Sequence, residues 1–190
     1  MNVQKTMTTH RKALFVLLTA FAGSAFAHSG AKHKHQHNHD AHVHGVAQLD
    51  VLGQGNRVSV SLESPLFNLL GFERTPKTQA EKLLAKRAVS NLRSDNNVQF
   101  NPQAGCKMVD AVLNSAELNP SQGDEPSDDG HAEFWMRWEF ECDNPKALEA
   151  LEVKLFKQFP RFTELRAQLV LDGRQAGARL TPSNPIFKLR

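Results

Sequence analysis

The sequence has only two cysteines, no long apolar run after residue 27 and, beyond that point, no excess of basic residues. Residues 28–190 contain 20 basic and 20 acidic side chains, so the net charge of +3 comes from the leader. A neutral chain lacks the basic surface by which proteins bind nucleic acid. A second run of about 20 apolar residues would be needed to cross a membrane. We therefore expect neither nucleic acid binding nor membrane insertion of residues 28–190.

Catalytic signatures are also missing. The chain contains no His-Glu-x-x-His, Gly-x-Ser-x-Gly or Cys-x-x-Cys sequence. No helix pattern follows Gly53-Gln54-Gly55, so this segment predicts a turn between two strands and not a phosphate-binding loop. We therefore expect a binding protein and not an enzyme.

The first 27 residues have the layout of a secretory signal peptide. A basic segment without acidic residues precedes an apolar run, and Ala25-Phe26-Ala27 provides a small-x-small cleavage signal. The apolar run is too short for a typical transmembrane helix, and a retained membrane anchor is the alternative interpretation. Cleavage after Ala27 would export residues 28–190.

The two cysteines, Cys106 and Cys142, lie in the exported part of the chain. Because exported proteins fold under oxidising conditions, one disulfide is the expected state, with two thiolate metal ligands as the alternative. Cysteines that face each other across an antiparallel strand pair can form such a bond. This register would also pair Met108 with Phe140, Asp110 with Trp138 and Val112 with Met136.

Alternating apolar and polar residues predict strands over much of the chain. The predicted strands cover residues 43–51, 58–62, 98–100, 106–113, 131–142, 151–160, 165–171 and 175–180. Short helical turns are predicted after Pro65 and at Asn144-Pro145. The chain is therefore expected to be mainly β.

One longer helix is predicted over residues 79–93. Thr78 and Glu81 form a capping-box pattern, in which each side chain accepts a hydrogen bond from a backbone N–H at the start of the helix. Helical spacing selects a buried stripe made of Ala80, Leu83, Leu84, Ala88 and Leu92.

The two halves of the chain resemble each other in pattern. Each begins with a strand led by histidine and contains the tripeptide Gln-Ala-Gly, at 103–105 and at 175–177, although chance identity could explain so short a match. We predict a single α+β, mainly β domain over residues 42–190. Its antiparallel sheets would form two pseudo-repeated halves, with one longer helix and short helical turns. The two halves and the acidic loop between them have the predicted bounds 42–113, 131–182 and 114–130.

Residues 28–41 are rich in histidine and almost free of apolar side chains, so we expect a disordered arm. Four histidines at alternate positions are predicted to bind metal there: His33, His35, His37 and His39. Their affinity should be modest because binding must order the chain, and protons should compete below about pH 6. Two alternatives are a copper site at an N-terminal His28 and a solubilising tail that binds no metal.

A spacing of two residues brings side chains to one side of the backbone only where the chain is extended. His42 and His44 have this spacing at the start of the first strand, and His131 and Glu133 have it at the start of the second half. Imidazole and carboxylate groups both suit zinc. We therefore predict a zinc site made of these four residues. Three further carboxylates are expected to have solvated surface roles: Asp50, Glu63 and Glu73.

The chain resembles the ZrgA-type zinc-uptake proteins of the Gram-negative periplasm in four segments: HVHGVAQLDV, LESPLFNLLGFE, HAEFWMRWEFEC and LFKQFPRFTEL. The resemblance covers about residues 42–184. It implies a periplasmic zinc-binding protein that assists high-affinity ABC-type zinc import and hands the metal to the importer's solute-binding protein. It also implies a compact β-rich fold with two related halves.

The chain departs from this family in one loop. Members often carry a long loop rich in histidine and aspartate before the His-x-Glu strand, whereas residues 115–130 are acidic and contain no histidine. Low-affinity zinc capture would then belong to the N-terminal arm. Two other functions stay open at this point: a copper or nickel chelating protein, and an envelope structural module whose histidine tract is incidental.

Overall fold

The structure is a computed structural model that describes residues 43–118 and 131–190. The predicted signal peptide, the histidine arm with its four alternate histidines, His42 and most of the acidic loop lie outside the described residues. Within the two described ranges, no helix has the length and apolar character needed to cross a membrane.

The described residues form nine strands and three α-helices. The strands are β1 (Val46–Gln54), β2 (Arg57–Pro65), β3 (Val98–Phe100), β4 (Cys106–Asn114), β5 (Glu133–Cys142), β6 (Ala150–Val153), β7 (Glu164–Leu171), β8 (Arg174–Leu180) and β9 (Ile186–Lys188). The helices are α1 (Phe67–Leu70), α2 (Gln79–Leu92) and α3 (Leu155–Gln158). Single 3-10 turns cover Pro102–Ala104 and Pro145–Ala147. The predicted class, mainly β with one longer helix and short helical turns, is confirmed.

The strands form two sheets. The larger has the order β4-β5-β2-β1-β7-β8 and the smaller has the order β3-β6-β9. All pairs are antiparallel except β1 with β7, which are parallel, with Val46 opposite Glu164. Parallel neighbours need a long crossover connection, and here the chain passes through β2 to β6 and the three α-helices before β7 returns beside β1. The larger sheet is therefore mixed.

The larger sheet supplies about half of the buried hydrophobic residues in the core. Alternate residues of β1 and β5 are buried, among them Leu49, Phe134 and Trp138. Burying one such side chain contributes about 1.5–3 kcal/mol, which explains why the alternating pattern forms strands at these positions. The indole Nε1 of Trp138 donates to the Leu92 carbonyl oxygen at 2.7 Å and so joins the sheet to the end of α2.

The capping box of α2 is confirmed, but its buried stripe differs from the prediction. The Thr78 side chain accepts from the Glu81 N–H, and the Glu81 carboxylate accepts from the Thr78 N–H. The buried residues of the helix are Ala85, Ala88 and Leu92. The predicted stripe was wrong for three residues, which are exposed: Ala80, Leu83 and Leu84. The buried face of the helix therefore carries two small alanine side chains, which permit closer packing than two leucines would allow.

The predicted disulfide is present, with the Cα atoms of Cys106 and Cys142 3.8 Å apart. The predicted pairing of Met108 with Phe140 is also correct. Beyond Met108 the predicted register is wrong, because a β-bulge makes Val109 an extra residue in β4. The observed partners there are Asp110 with Glu139, Ala111 with Trp138, Val112 with Arg137 and Leu113 with Met136.

Strand pairing does not reproduce the predicted repeat of two halves. β1 and β2 are hydrogen-bonded neighbours, whereas β5 lies in the larger sheet and β6 in the smaller one. The two Gln-Ala-Gly tripeptides also differ, because one overlaps the 3-10 turn Pro102–Ala104 and the other lies within β8. The predicted strand over 151–160 is divided between the end of β6 and α3. The two halves therefore occupy different structural settings.

We expect the free energy of unfolding to depend on pH through Glu81, the acidic residue of the capping box. A hydrogen bond from Arg74 lowers the pKa of this carboxylate from 4.5 to about 2, helped by backbone N–H donors of Thr78 and Lys77. A carboxylate with a lowered pKa stabilises the folded state above its unfolded pKa, and that contribution is lost as the pH falls from about 4.5 toward 2.

The measurement is urea unfolding of the wild type and of Glu81→Gln between about pH 6 and pH 2. We expect the wild type to be more stable at pH 6, and the difference between the two proteins to shrink below about pH 4.5. Arg74→Gln should reduce the same pH dependence. Stability curves that stay parallel over this range would contradict the assignment.

Candidate metal-binding site

His44 lies in a tight turn that leads into β1. The Val46 N–H donates to the Val43 carbonyl oxygen at 3.0 Å and closes the turn. Gly45, at the third position, has a φ of +90°, a conformation that favours glycine. A Cβ atom there would also lie 2.6 Å from Thr163 Oγ1. The turn that presents His44 therefore depends on the glycine that follows it.

Two other segments hold this turn. Thr163 donates to the Gly45 carbonyl oxygen through its N–H, at 2.8 Å, and through Oγ1, at 3.1 Å. On the other side, the Gly45 N–H donates to Asn68 Oδ1 at 2.6 Å, and Asn68 Nδ2 donates to the Val46 carbonyl oxygen at 3.0 Å. Asn68 is buried in α1. The backbone on the C-terminal side of His44 is thus fixed by hydrogen bonds to distant parts of the chain.

The ring of His44 is oriented by α1 and the loop that follows it. It stacks on the Phe67 ring with a centroid separation of 3.9 Å and an interplanar angle of 8°. Its Nε2 lies 3.2 Å from Glu73 Oε1. Gly71 ends α1 in the left-handed conformation, with a φ of 85°, and turns the chain toward Glu73.

His131 reaches the same carboxylate from the segment just before β5. Its Nδ1 lies 3.6 Å from Glu73 Oε2. The Leu66 N–H donates to the Ala132 carbonyl oxygen at 2.7 Å, which ties the segment that carries His131 to the start of α1. Glu73 therefore lies between two imidazoles that are 87 positions apart in the sequence, at 44 and 131.

The three side chains differ in exposure. The Glu73 side chain is only 9% exposed, whereas those of His44 and His131 are 49% and 57% exposed. Although Glu73 Oε1 is close to His44, it is buried and accepts no hydrogen bond of acceptable geometry from the described residues. The site thus combines one carboxylate that is shielded from solvent with two imidazoles that reach solvent.

The separations between these donors are close to those in a zinc site. Tetrahedral zinc with ligand distances near 2.0–2.2 Å places an imidazole nitrogen and a carboxylate oxygen about 3.4 Å apart. The two observed separations, 3.2 Å and 3.6 Å, lie on either side of that value. In 43–118 and 131–190, however, no group of three or more His, Cys, Asp or Glu side chains forms a metal site as it stands. The described residues thus show two close contacts between an imidazole and a carboxylate and no metal site.

The structure brings two of the predicted ligands, His44 and His131, to one carboxylate. The expectation that Glu73 is a solvated surface residue was wrong, because its side chain is largely buried between them. Glu133 begins β5, and its role as a ligand stays a prediction. Asp50 and Glu63 are at least partly exposed on β1 and β2, as expected. The other predicted ligands lie outside the described residues: His33, His35, His37, His39 and His42.

Sequence reasoning gave Glu73 only a surface role and missed Asn68, although each has a local signal. Asn68 is a polar residue within an apolar run, and such a residue usually makes buried hydrogen bonds. Glu73 follows Gly71 by two residues, where the chain leaves a helical turn. Neither signal indicates which distant segment the side chain will meet.

A protein-family model described as "ZrgA family zinc uptake protein" matches residues 41–189. This range includes both described histidines, Glu73 and all nine strands. No curated protein matches the chain.

Proposed function

Because the chain belongs to the ZrgA family of zinc uptake proteins, we propose that it captures zinc in the periplasm and assists high-affinity import by an ABC-type transporter. Export by the signal-peptide pattern of residues 1–27 would place it there. The recipient would be the solute-binding protein of the importer. The protein acts as a binding protein in this proposal, and no catalytic step is required.

One observation carries the proposal: two imidazole nitrogens face the two oxygens of a single shielded carboxylate. Neutral imidazole is a donor that suits zinc better than it suits magnesium or calcium, and zinc also binds carboxylate oxygen. The negative charge of Glu73 offsets part of the charge of the ion in a place where water is scarce. His44 and His131 would complete three of four positions. His42 and Glu133, each two residues from one of these histidines, are the proposed sources of the remaining ligand.

The exposure of the two histidines supports exchange. Both imidazoles are about half exposed, so a zinc ion bound to them would be reachable from solvent by a second protein. This exposure would let the ligands of a recipient protein approach the ion and replace His44 or His131. The histidines of residues 33–39 would gather zinc at lower affinity and raise its local concentration near this site.

The proposal is tested by calorimetric zinc titration of the exported chain, residues 28–190. We expect a tight class of site and a weaker class. His44→Ala and His131→Ala should each weaken the tight class by at least about 10-fold, since loss of a ligand should cost no less than loss of an outer partner. Deletion of residues 28–41 should remove only the weaker class. His33→Ala is the matched control and should leave the tight class unchanged.

Zinc uptake by cells tests the transport part of the proposal. Under zinc limitation, cells that carry His44→Ala and His131→Ala should take up less zinc than cells with the wild type, and only when the ABC importer is present. Unchanged tight binding in both variants would show that the zinc site lies elsewhere. Equal uptake despite weakened binding would show that this chain does not supply the importer.

A further inference from the structure

Asn68 is a completely buried polar side chain within the apolar helix α1. Its Oδ1 accepts from the Gly45 N–H, and its Nδ2 donates to the Val46 carbonyl oxygen and to Ser64 Oγ, both at 3.0 Å. The acceptor and both N–H groups of the amide are therefore used. A buried amide with all its hydrogen bonds made fixes its partners strongly, because breaking any of them leaves an unsatisfied group.

Two of these three bonds act on the backbone that carries His44. The Gly45 N–H belongs to the peptide group that joins His44 to Gly45, so its bond to Asn68 fixes the orientation of that peptide plane. The bond to Val46 holds the opposite end of the turn. The 2.6 Å bond joins residues 23 positions apart, so the local sequence of the turn cannot replace it.

The neighbouring residue of α1 orients the side chain itself. Phe67 stacks on the His44 ring, and Phe67 and Asn68 are consecutive in the helix. The backbone of His44 and the plane of its imidazole are therefore set by adjacent residues of one element. The same element ends at Gly71 and leads to Glu73, which faces the Nε2 of His44.

We infer that Asn68 is a positioning residue for zinc capture: it holds the turn at Gly45 and Val46 so that His44 faces Glu73 before the metal arrives. This inference rests on the proposed zinc site. Preorganised ligands bind a metal more tightly because the chain is not ordered at the moment of binding. Without the Asn68 amide, the affinity for zinc should fall about 10-fold, as for other groups that orient a ligand without touching the metal.

The test compares Asn68→Ala with Asn97→Ala in the exported chain, with zinc affinity measured by competition against a chromophoric chelator. Asn97 is a matched control because it is also completely buried and also bonds to backbone, donating to the Asn91, Leu92 and Ser94 carbonyl oxygens at the C-terminal end of α2. Both variants should lose stability. Only Asn68→Ala should lose zinc affinity, and equal affinities in the two variants would overturn the inference.

A second measurement reads the position of His44 without zinc. Stacking on Phe67 should shift the His44 ring-proton signals upfield in the NMR spectrum, and the signals are assigned by their absence in His44→Ala. Asn68→Ala should move them toward free-histidine values while Asn97→Ala leaves them unchanged. Unmoved signals in Asn68→Ala would overturn the inference.

A third variant covers the possibility of misfolding. Asn68→Asp keeps the volume and the acceptor for the Gly45 N–H but loses the donor to Val46, so it should show a smaller loss of affinity and a smaller shift. If Asn68→Ala does not fold, the Asp variant decides, and wild-type values in both measurements would overturn the inference. Failure of His44→Ala to weaken zinc binding would instead reject the proposed zinc site, and the NMR comparison would still decide whether Asn68 orients His44.

Discussion

Glu73→Gln is expected to weaken zinc binding by more than about 100-fold and to leave the zinc-free protein folded and at least as stable as the wild type. The loss in affinity corresponds to about 2.7 kcal/mol or more. Loss of a group that orients a ligand from outside costs about 100-fold at most. The effect of Glu73→Gln should be larger, because the substitution removes a negatively charged group that is proposed to bind the ion directly. Gln has nearly the same shape, so packing is preserved.

The stability of the zinc-free variant follows from the burial of Glu73. In the wild type a side chain that is 9% exposed holds a carboxylate whose Oε1 accepts no suitable hydrogen bond from the described residues. A buried, incompletely bonded charged group is costly. The neutral amide removes that cost and can still donate to a neighbouring ring nitrogen. A zinc ion bound at Glu73, as proposed, would offset the same cost in the wild type.

Thermal unfolding with and without zinc measures both effects. Ligand binding to the folded state alone stabilises it by about 2.7 kcal/mol when the free ligand is 100 times its Kd. Zinc should therefore raise the Tm of the wild type and raise it far less in Glu73→Gln. Glu141→Gln is a suitable control, since Glu141 is an exposed carboxylate at the other end of β5. A zinc-induced rise in Tm that survives in Glu73→Gln would reject Glu73 as a ligand.

Much of the fold could be predicted from the sequence because local patterns determine it. The alternation in β1 and β5, the capping box at Thr78 and Glu81, and the turn at Gly55 each depend on residues within a few positions of one another. The disulfide was also predictable, because the chain has only two cysteines.

Features that depend on packing between distant segments could not be predicted. The bulge at Val109 changes the register of β4 without any change in the alternating pattern. The buried face of α2 is decided by packing against other parts of the chain, and Ala85 is buried in place of Leu84. Hydrophobic periodicity gives the face only to within one position around the helix.

The candidate site shows the same division. The spacing of His44 and the position of His131 at the start of a strand pointed to both residues. Their meeting at Glu73 depends on α1, which places Phe67, Asn68 and Glu73 around the turn at Gly45. Sequence spacing relates residues within one segment. Glu73 reaches the histidines from a separate segment, the loop after α1.

Removing the disulfide is expected to lower the free energy of unfolding by roughly 3–4 kcal/mol, the largest stability loss that we predict for the chain. The bond between Cys106 and Cys142 closes a loop with a sequence separation of 36, which restricts the unfolded chain. The loop includes the whole segment 115–130 between β4 and β5. Without the disulfide, the ends of so long a loop can move far apart in the unfolded chain. Urea unfolding of Cys106→Ala with Cys142→Ala measures the effect, and the reduced wild type should match the variant.

The same variant separates stability from zinc capture. The disulfide lies at the end of β5 opposite to His131, and a ten-residue strand spans roughly 30 Å. At temperatures where the double variant is fully folded, its zinc affinity should therefore equal that of the wild type. A loss of affinity in the folded variant would show that β5 transmits strain from the disulfide to His131. An unchanged free energy of unfolding would show that the unfolded chain is already as restricted as the disulfide would make it.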